Sequence, residues 1–519
     1  MKSENQRGGE ERSMLSDTEK TALRREWAAA GLLLLLGAVL RLAALGSLPM
    51  GLNQDESSAG YEAFALLKSG MDRCGQSWPV LFIAWGSGQN VLMSYLAMPF
   101  LALFGMSEWA LRLPNAIAGC LTLFVFWRLA RRIDGRRFGL LALFLLVINP
   151  WHIMASRWAL ESNLLPAFLL AGVWCTVLAR EKPWALLGAS AAFGLALYAY
   201  GTAFFFLPLY LLLAVLWLRR DLRPAPFLCA LGLFALLALP IALCQARNAL
   251  GLPAMRFLGL TLPALTEGRQ AATSVFGGGG LKAVGENLRA LGEMLRRGGD
   301  GLIWNSLGFW QGGLMYFFGL PTAVLGVFVS VLDRRRRTGE APLRFALWSA
   351  FLCAALIRGN VNRLNMLWLP LVYFSAVGCF QIGRLLRRWS VLPLAAMAAC
   401  LLIFLGSYTA ALGGSGNVNY FPGLGQAIAA AEATGAETIY ITDKVNQPYI
   451  FALYYTRTPP ERFVSSVVYA NPQGAFRRVE RFEGFEFRDM ASADVLILYP
   501  WQAEGREVLA RAGGFVVCR

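Results

Sequence analysis

The chain has 519 residues, 56% of them hydrophobic and only 15% charged, with a formal net charge of +16. A soluble globular protein of this length needs more polar surface, so the composition excludes one and indicates a polytopic membrane protein. The positive charge does not indicate nucleic acid, because the basic residues fall in short clusters between apolar runs, as in cytoplasmic loops.

In chain order, residues 1–26 are polar and charge-balanced, which predicts a disordered cytoplasmic tail ending at Arg24-Arg25. Ala28 to Ala44 is the first apolar run, read as a retained signal-anchor. Further segments with the apolar character of a span run at roughly 110–130, 138–150, 163–179, 184–200, 203–218, 226–244, 308–332, 342–357, 364–383 and 391–411. The expectation is about eleven transmembrane helices within residues 27–412. Basic clusters at Arg24-Arg25, Arg131 to Arg137, Arg180 to Lys182, Arg219 to Arg223, Arg334 to Arg337 and Arg384 to Arg388 then share one side with the N-terminus. Val91 to Phe104 is too short for a span, so residues 47–109 read as one long external loop with surface helices near Glu56 to Lys68 and 89–104. A second external loop covers about 246–306, with Gly277 to Gly280 as a hinge.

From residue 413 onward the character changes. Glu437 to Thr442 and Ala493 to Tyr499 read as buried strands, and Leu424 to Thr434 and Ala503 to Ala512 as helices, giving an extracytoplasmic α/β domain over 413–519. This register gathers Asp55-Glu56, His152, Arg157, Glu161, Arg358 and Arg363 on the external face, with Arg41 late in the first span. Adjacent carboxylates there suit proton abstraction, and guanidiniums in a short turn suit phosphate oxygens. Each also has a plain structural reading: Arg157 and Glu161 as a helical ion pair, His152 as an interfacial anchor, Asp55-Glu56 as a helix start. Nine cysteines without paired spacing, no CxxC and a single histidine argue against a His/Cys metal site, while a carboxylate-bound divalent ion stays open.

At these residues the chain resembles the GT-C superfamily, family 39: the protein O-mannosyltransferases and bacterial aminoarabinose transferases. The motifs are Asn53-Gln-Asp55-Glu56-Ser-Ser-Ala-Gly-Tyr-Glu, Arg112-Leu-Pro114, Asn149-Pro-Trp-His-Ile-Met-Ala-Ser-Arg157-Trp-Ala-Leu-Glu161-Ser-Asn and Asn362-Arg363-Leu-Asn365. The resemblance implies a polytopic α-helical GT-C fold in the plasma membrane and a polyprenyl-phosphate sugar donor. The expected acceptor is an extracytoplasmic protein, lipid or glycan, and no cofactor is expected, with a divalent metal left open. Asp55 would be the general base, with Glu56 beside it orienting the acceptor or the site. Arg157, Arg363 and Arg358 would hold the donor phosphate, supported by Glu161, His152, Gln89 and Asn90. Gly86-Ser-Gly-Gln89-Asn90 stands where many relatives have Lys-Pro-Pro, and Glu161 where many have aspartate. The rival readings are a flippase for lipid-linked sugars, which would place polar residues mid-span, and a non-catalytic envelope scaffold.

Overall fold

Every segment expected to span the membrane contains a helix in the computed structural model, which describes residues 17–85, 87–266, 275, 280–386, 391–415, 417, 419–472 and 477–519. The order is α1 (Asp17–Leu42), α2 (Gln54–Ser69), β1 (Leu81–Ala84), β2 (Ser87–Asn90), α3 (Leu92–Phe104), α4 (Glu108–Asp134), α5 (Arg136–Val147) and α6 (Pro150–Ser156). Then come α7 (Leu165–Leu178), α8 (Ala185–Ala199), α9 (Ala203–Leu218), α10 (Pro224–Ala249), β3 (Met255–Phe257), β4 (Leu260–Leu262), α11 (Gly280–Arg297) and α12 (Tyr316–Leu332). The bundle closes with α13 (Arg334–Gly339), α14 (Ala341–Leu356), α15 (Asn365–Leu386) and α16 (Val391–Leu412).

Among the described residues five helices are long and apolar enough to cross a membrane, or six if α5 and α6, bent by 61°, form one broken span. The expected eleven apolar segments are thus helical, but α8, α9, α12 and α14 are 15–17 residues long. At ~1.5 Å per residue they fall short of a ~30 Å hydrocarbon core. The break between α5 and α6 follows from Pro150, which pushes Asn149 out of the helical region to φ −63°, ψ 122°. Leu35, Leu212, Leu236 and Leu402 are more than half exposed on the helix exteriors, as acyl-chain contact requires. Helices α12 and α15 meet nearly backbone to backbone, since a Cβ on Gly326 or Gly378 would run into a carbonyl of the other helix. The chain is a multi-pass membrane protein.

Three expectations are corrected here. Residues 17–26 are not tail but the start of α1, because buried Glu26 pairs with Arg131 and Arg136; residues 1–16 lie outside the described residues. The segment 308–332 is helical only from Tyr316, since Gly312 and Gly313 adopt φ of 124° and 52°. Of the glycine run, Gly280 opens α11 and 277–279 lie outside the described residues, as do Arg387 and Arg388.

Ion pairs collect the basic clusters at one end of the bundle: Glu26 with Arg131, Arg132 with Glu181, Arg180 with Asp221 and Arg336 with Asp134. From Glu26 to Leu42 helix α1 rises about 24 Å, so Asp55 and the loops near it lie toward the opposite end.

The tail contributes α17 (Leu424–Glu432), β5 (Ile439–Ile441), α18 (Pro448–Thr456), α19 (Pro460–Ser466), β6 (Val468–Tyr469), β7 (Val479–Phe482), β8 (Phe485–Glu486), β9 (Val495–Leu498), β10 (Val508–Ala512) and β11 (Phe515–Cys518). Among the described residues its strands form one sheet in the order β10-β11-β9-β5-β8-β7-β6, with β5 parallel to β8 and β9. The expected helix over 503–512 is instead strand β10. Gly513-Gly514 makes a two-residue turn that pairs Ala512 with Phe515, and pairing on β11 overrides local helix preference. The domain is docked on the first loop: Tyr61 donates to the Thr458 carbonyl at 2.8 Å, and Gly60 leaves room for the Tyr454 ring.

Candidate active site

Helix α2 begins with a capping box. Asn53 Oδ1 accepts the Glu56 N–H at 2.9 Å, and Glu56 Oε2 accepts the Asn53 N–H at 3.4 Å. Glu56 is fully buried and its carboxylate is saturated. Arg112 Nε and Nη2 donate to it at 2.8 and 2.9 Å, and the Ala159 N–H at 3.0 Å. Arg112 is itself pinned by the carbonyls of Leu45, Pro49 and Gly51. Glu56 therefore organises the site and does not face it, which corrects its expected place beside Asp55 in the chemistry.

Asp55, one residue earlier, is half-buried and lines a cavity of about 650 Å³. The first turn of a helix suits a carboxylate, since the free N–H groups and the dipole favour negative charge. Asn53, Gln54 and Trp158 join it on one wall. Leu302, Trp304, Asn360 and Asn362 form another, where Asp300 ties the two turns together by accepting from Asn305 Nδ2 at 2.7 Å and the Val361 N–H at 3.1 Å. The α/β domain supplies the third wall: Asn419, Phe421, Lys444, Asn446, Tyr499 and Trp501.

The expected cations are placed differently. Arg157 is buried and donates to the carbonyls of Leu40, Ala44 and Leu48, satisfying the end of α1. It forms no helical pair with Glu161, whose carboxylate accepts the Asn90 N–H, and residues 157–160 are not helical. Arg157 is a structural clamp and is not available to a donor phosphate. Arg358 is exposed, and Arg363 Nη1 donates to the Arg358 carbonyl at 3.0 Å. Their turn reaches the cavity through Asn360 and Asn362, so the two guanidiniums sit beside it and not in its wall. The cation in the wall is Lys444, 3.4 Å from Asp443 and more than half exposed.

His152 is buried against Arg41, whose Nη2 donates to His152 Nδ1 at 2.7 Å and whose Nη1 reaches the Gly37 carbonyl. It stands apart from the cavity. Gln89 and Asn90 are equally remote: Gln89 accepts from Ser58 Oγ at 2.9 Å and Asn90 Nδ2 donates to the Leu197 carbonyl. Gln89 belongs to a second buried cluster in which Arg73 holds Glu62 at 3.2 Å and donates to Ser58 Oγ at 2.8 Å. Burial pushes the Glu62 carboxyl up to about 8, against the pull of Arg73, and the Asp72 carboxyl up to about 6. Among the described residues no three of His, Cys, Asp and Glu lie close enough to hold a metal ion.

The residues missed by sequence reading include Trp304, Asn360, Asn419, Lys444, Asn446, Tyr499 and Trp501. Lys444 and Asn446 follow β5, and Tyr499 and Trp501 follow β9. These two strands are parallel neighbours, so their carboxyl ends share one edge, the usual ligand edge of such a sheet. Gln502 Oε1 binds the two loops together, accepting from Thr442 Oγ1 at 3.0 Å and the Tyr499 N–H at 3.2 Å.

Residues 89–243 match the family Dolichyl-phosphate-mannose-protein mannosyltransferase. Among curated proteins none matches the chain by sequence. The structure of ArnT from Cupriavidus metallidurans bound to undecaprenyl phosphate superposes with a TM-score of 0.59 at 14% identity, over 94% of this chain and 97% of that one. The apo state of the same protein gives 0.55 at 14% identity, over 95% and 98%. The oligosaccharyltransferase of Archaeoglobus fulgidus, in complex with Zn and sulfate, gives 0.49 at 14% identity over 82% and 61%. In fold, nearly end to end, the chain resembles ArnT, and the mannosyltransferase family match covers residues 89–243.

Proposed function

We propose that the protein is an integral-membrane glycosyltransferase that moves one sugar from a polyprenyl-phosphate carrier to an extracytoplasmic acceptor. The observation that carries this reading is Asp55, held at a helix start in the wall of a 650 Å³ polar cavity on an ArnT-like fold. The undecaprenyl phosphate bound by ArnT supports a donor of that class. Asp55 takes the proton of an acceptor hydroxyl as its oxygen attacks the anomeric carbon. The bond from that carbon to the carrier's phosphate oxygen breaks, polyprenyl phosphate leaves with the charge, and configuration inverts. Lys444, with Arg358 and Arg363 beside the cavity, offers positive charge for the departing phosphate. The cavity lies away from the basic clusters, which by the positive-inside rule supports an extracytoplasmic site in a plasma-membrane protein.

Purified protein in lipid, given individual polyprenyl-phosphate sugars and envelope membranes as acceptor, is expected to release polyprenyl phosphate from one of them. Silence across the panel with acceptor present would overturn the reading.

A further inference from the structure

The wall that the α/β domain adds to the cavity has a distinct chemistry. Trp501 is 63% exposed although it is the largest apolar side chain on that wall. Its ring lies nearly parallel to that of Tyr499, 6.3 Å between centroids and 7° between planes, and Tyr499 in turn stacks on Phe515 at 4.9 Å. The aromatic platform is therefore braced from within the sheet, while the Gln502 hydrogen bonds fix the loop carrying it. Asn446 lies on the neighbouring loop, and Asn53, Asn360, Asn362 and Asn419 also line the cavity, the Oδ1 atoms of Asn53 and Asn360 accepting the N–H groups of Glu56 and Arg363. On the wall that carries Asp55, the buried indole N–H of Trp158 has no hydrogen-bond partner among the described residues.

A pyranose has an apolar C–H face and a rim of hydroxyls that both donate and accept. Flat aromatic faces cover the former without demanding hydrogen bonds. Carboxamides, with two donors and one acceptor oxygen each, can both donate to and accept from vicinal hydroxyls. A lipid chain would need an apolar groove, and an extended peptide is best held along a free strand edge, whereas this wall is built from the loops that follow β5 and β9.

We infer that the α/β domain makes a saccharide subsite, in which the acceptor is a glycan whose ring packs on Trp501 and whose hydroxyl points toward Asp55. This rests on the transferase reading above. Trp501 and Asn446 set acceptor specificity, and Asp55 does the chemistry.

The test is binding without donor. Full-length protein in lipid nanodiscs is titrated with chitotriose, maltotriose and cellotriose, and with a Ser/Thr-containing nonapeptide, by calorimetry and tryptophan fluorescence. At least one trisaccharide is expected to bind saturably, and W501A and N446A, both at exposed positions, to weaken it roughly tenfold. No trisaccharide binding, binding unchanged in both variants, or Trp501-dependent binding of the peptide alone would overturn the inference. Its failure is separable from failure of the transferase reading. Absent saccharide binding with donor turnover intact removes only the saccharide assignment, whereas saccharide binding with silence across the donor panel removes the transferase reading.

Discussion

Replacing Glu56 by glutamine separates architecture from chemistry at the two adjacent carboxylates. The side chain keeps its shape, but the amide nitrogen must confront Arg112 or a backbone N–H, because all four groups around the carboxylate are donors. Breaking a buried pair costs about 3–5 kcal/mol. Arg112 retains the carbonyls of Leu45, Pro49 and Gly51, so the lower end of that range, ~3 kcal/mol, is expected. At the shift typical of larger domains the unfolding midpoint should fall by roughly 5–10 °C. Changing both partners, E56Q with R112M, should be less destabilising than the sum of the single changes, because the second substitution removes the stranded charge. The assay is thermal unfolding of purified protein in detergent, alongside donor turnover. An unchanged midpoint with abolished turnover would refute the reasoning and return Glu56 to the chemistry.

Three further outcomes follow from the same geometry. Arg157→Gln should destabilise by about 2–4 kcal/mol through lost charge-assisted bonds to Leu40, Ala44 and Leu48, with donor KM within about twofold of wild type; a selective rise in donor KM at unchanged stability would restore its phosphate role. Lys444→Met should raise donor KM by roughly tenfold without lowering the unfolding midpoint, since the side chain is more than half exposed; an unaltered KM would remove it from the phosphate site. Glu62, with its folded pKa raised to about 8, holds a proton in the fold that the unfolded chain has already released. Its contribution is full below its ordinary value near 4.5 and is lost as pH rises through 8, so the midpoint should decline across that window. Glu62→Gln should flatten that decline, and an equally steep slope in the variant would contradict the assignment.

The helical framework was legible because hydropathy reports on solvent directly, and each segment expected to span the membrane contains a helix. Asp55 was legible too, since its position after the first span follows from counting. Glu56 and Arg157 were harder, for a sequence shows a charge but not its partner. Arg112 lies 56 residues from Glu56, and the carbonyls that absorb Arg157 lie more than 100 residues before it. Short helices such as α9 and α14 lack the length to settle the number of spans by themselves. The third wall was hidden for a topological reason: Lys444 and Trp501 line the cavity with Asp55 because β5 and β9 are parallel and adjacent in a domain docked on α2 through α18. The Gly513-Gly514 turn was a readable hairpin signal, outweighed by the helix-like composition of 503–512.

The most direct measurement is donor cleavage by wild type and D55N, each in lipid with the productive polyprenyl-phosphate sugar and acceptor membranes. The substitution preserves size at a half-buried position, so unfolding should be unchanged while release of polyprenyl phosphate falls by about 100-fold or more. Undiminished release from a folded D55N protein would contradict the assignment of Asp55 as the base.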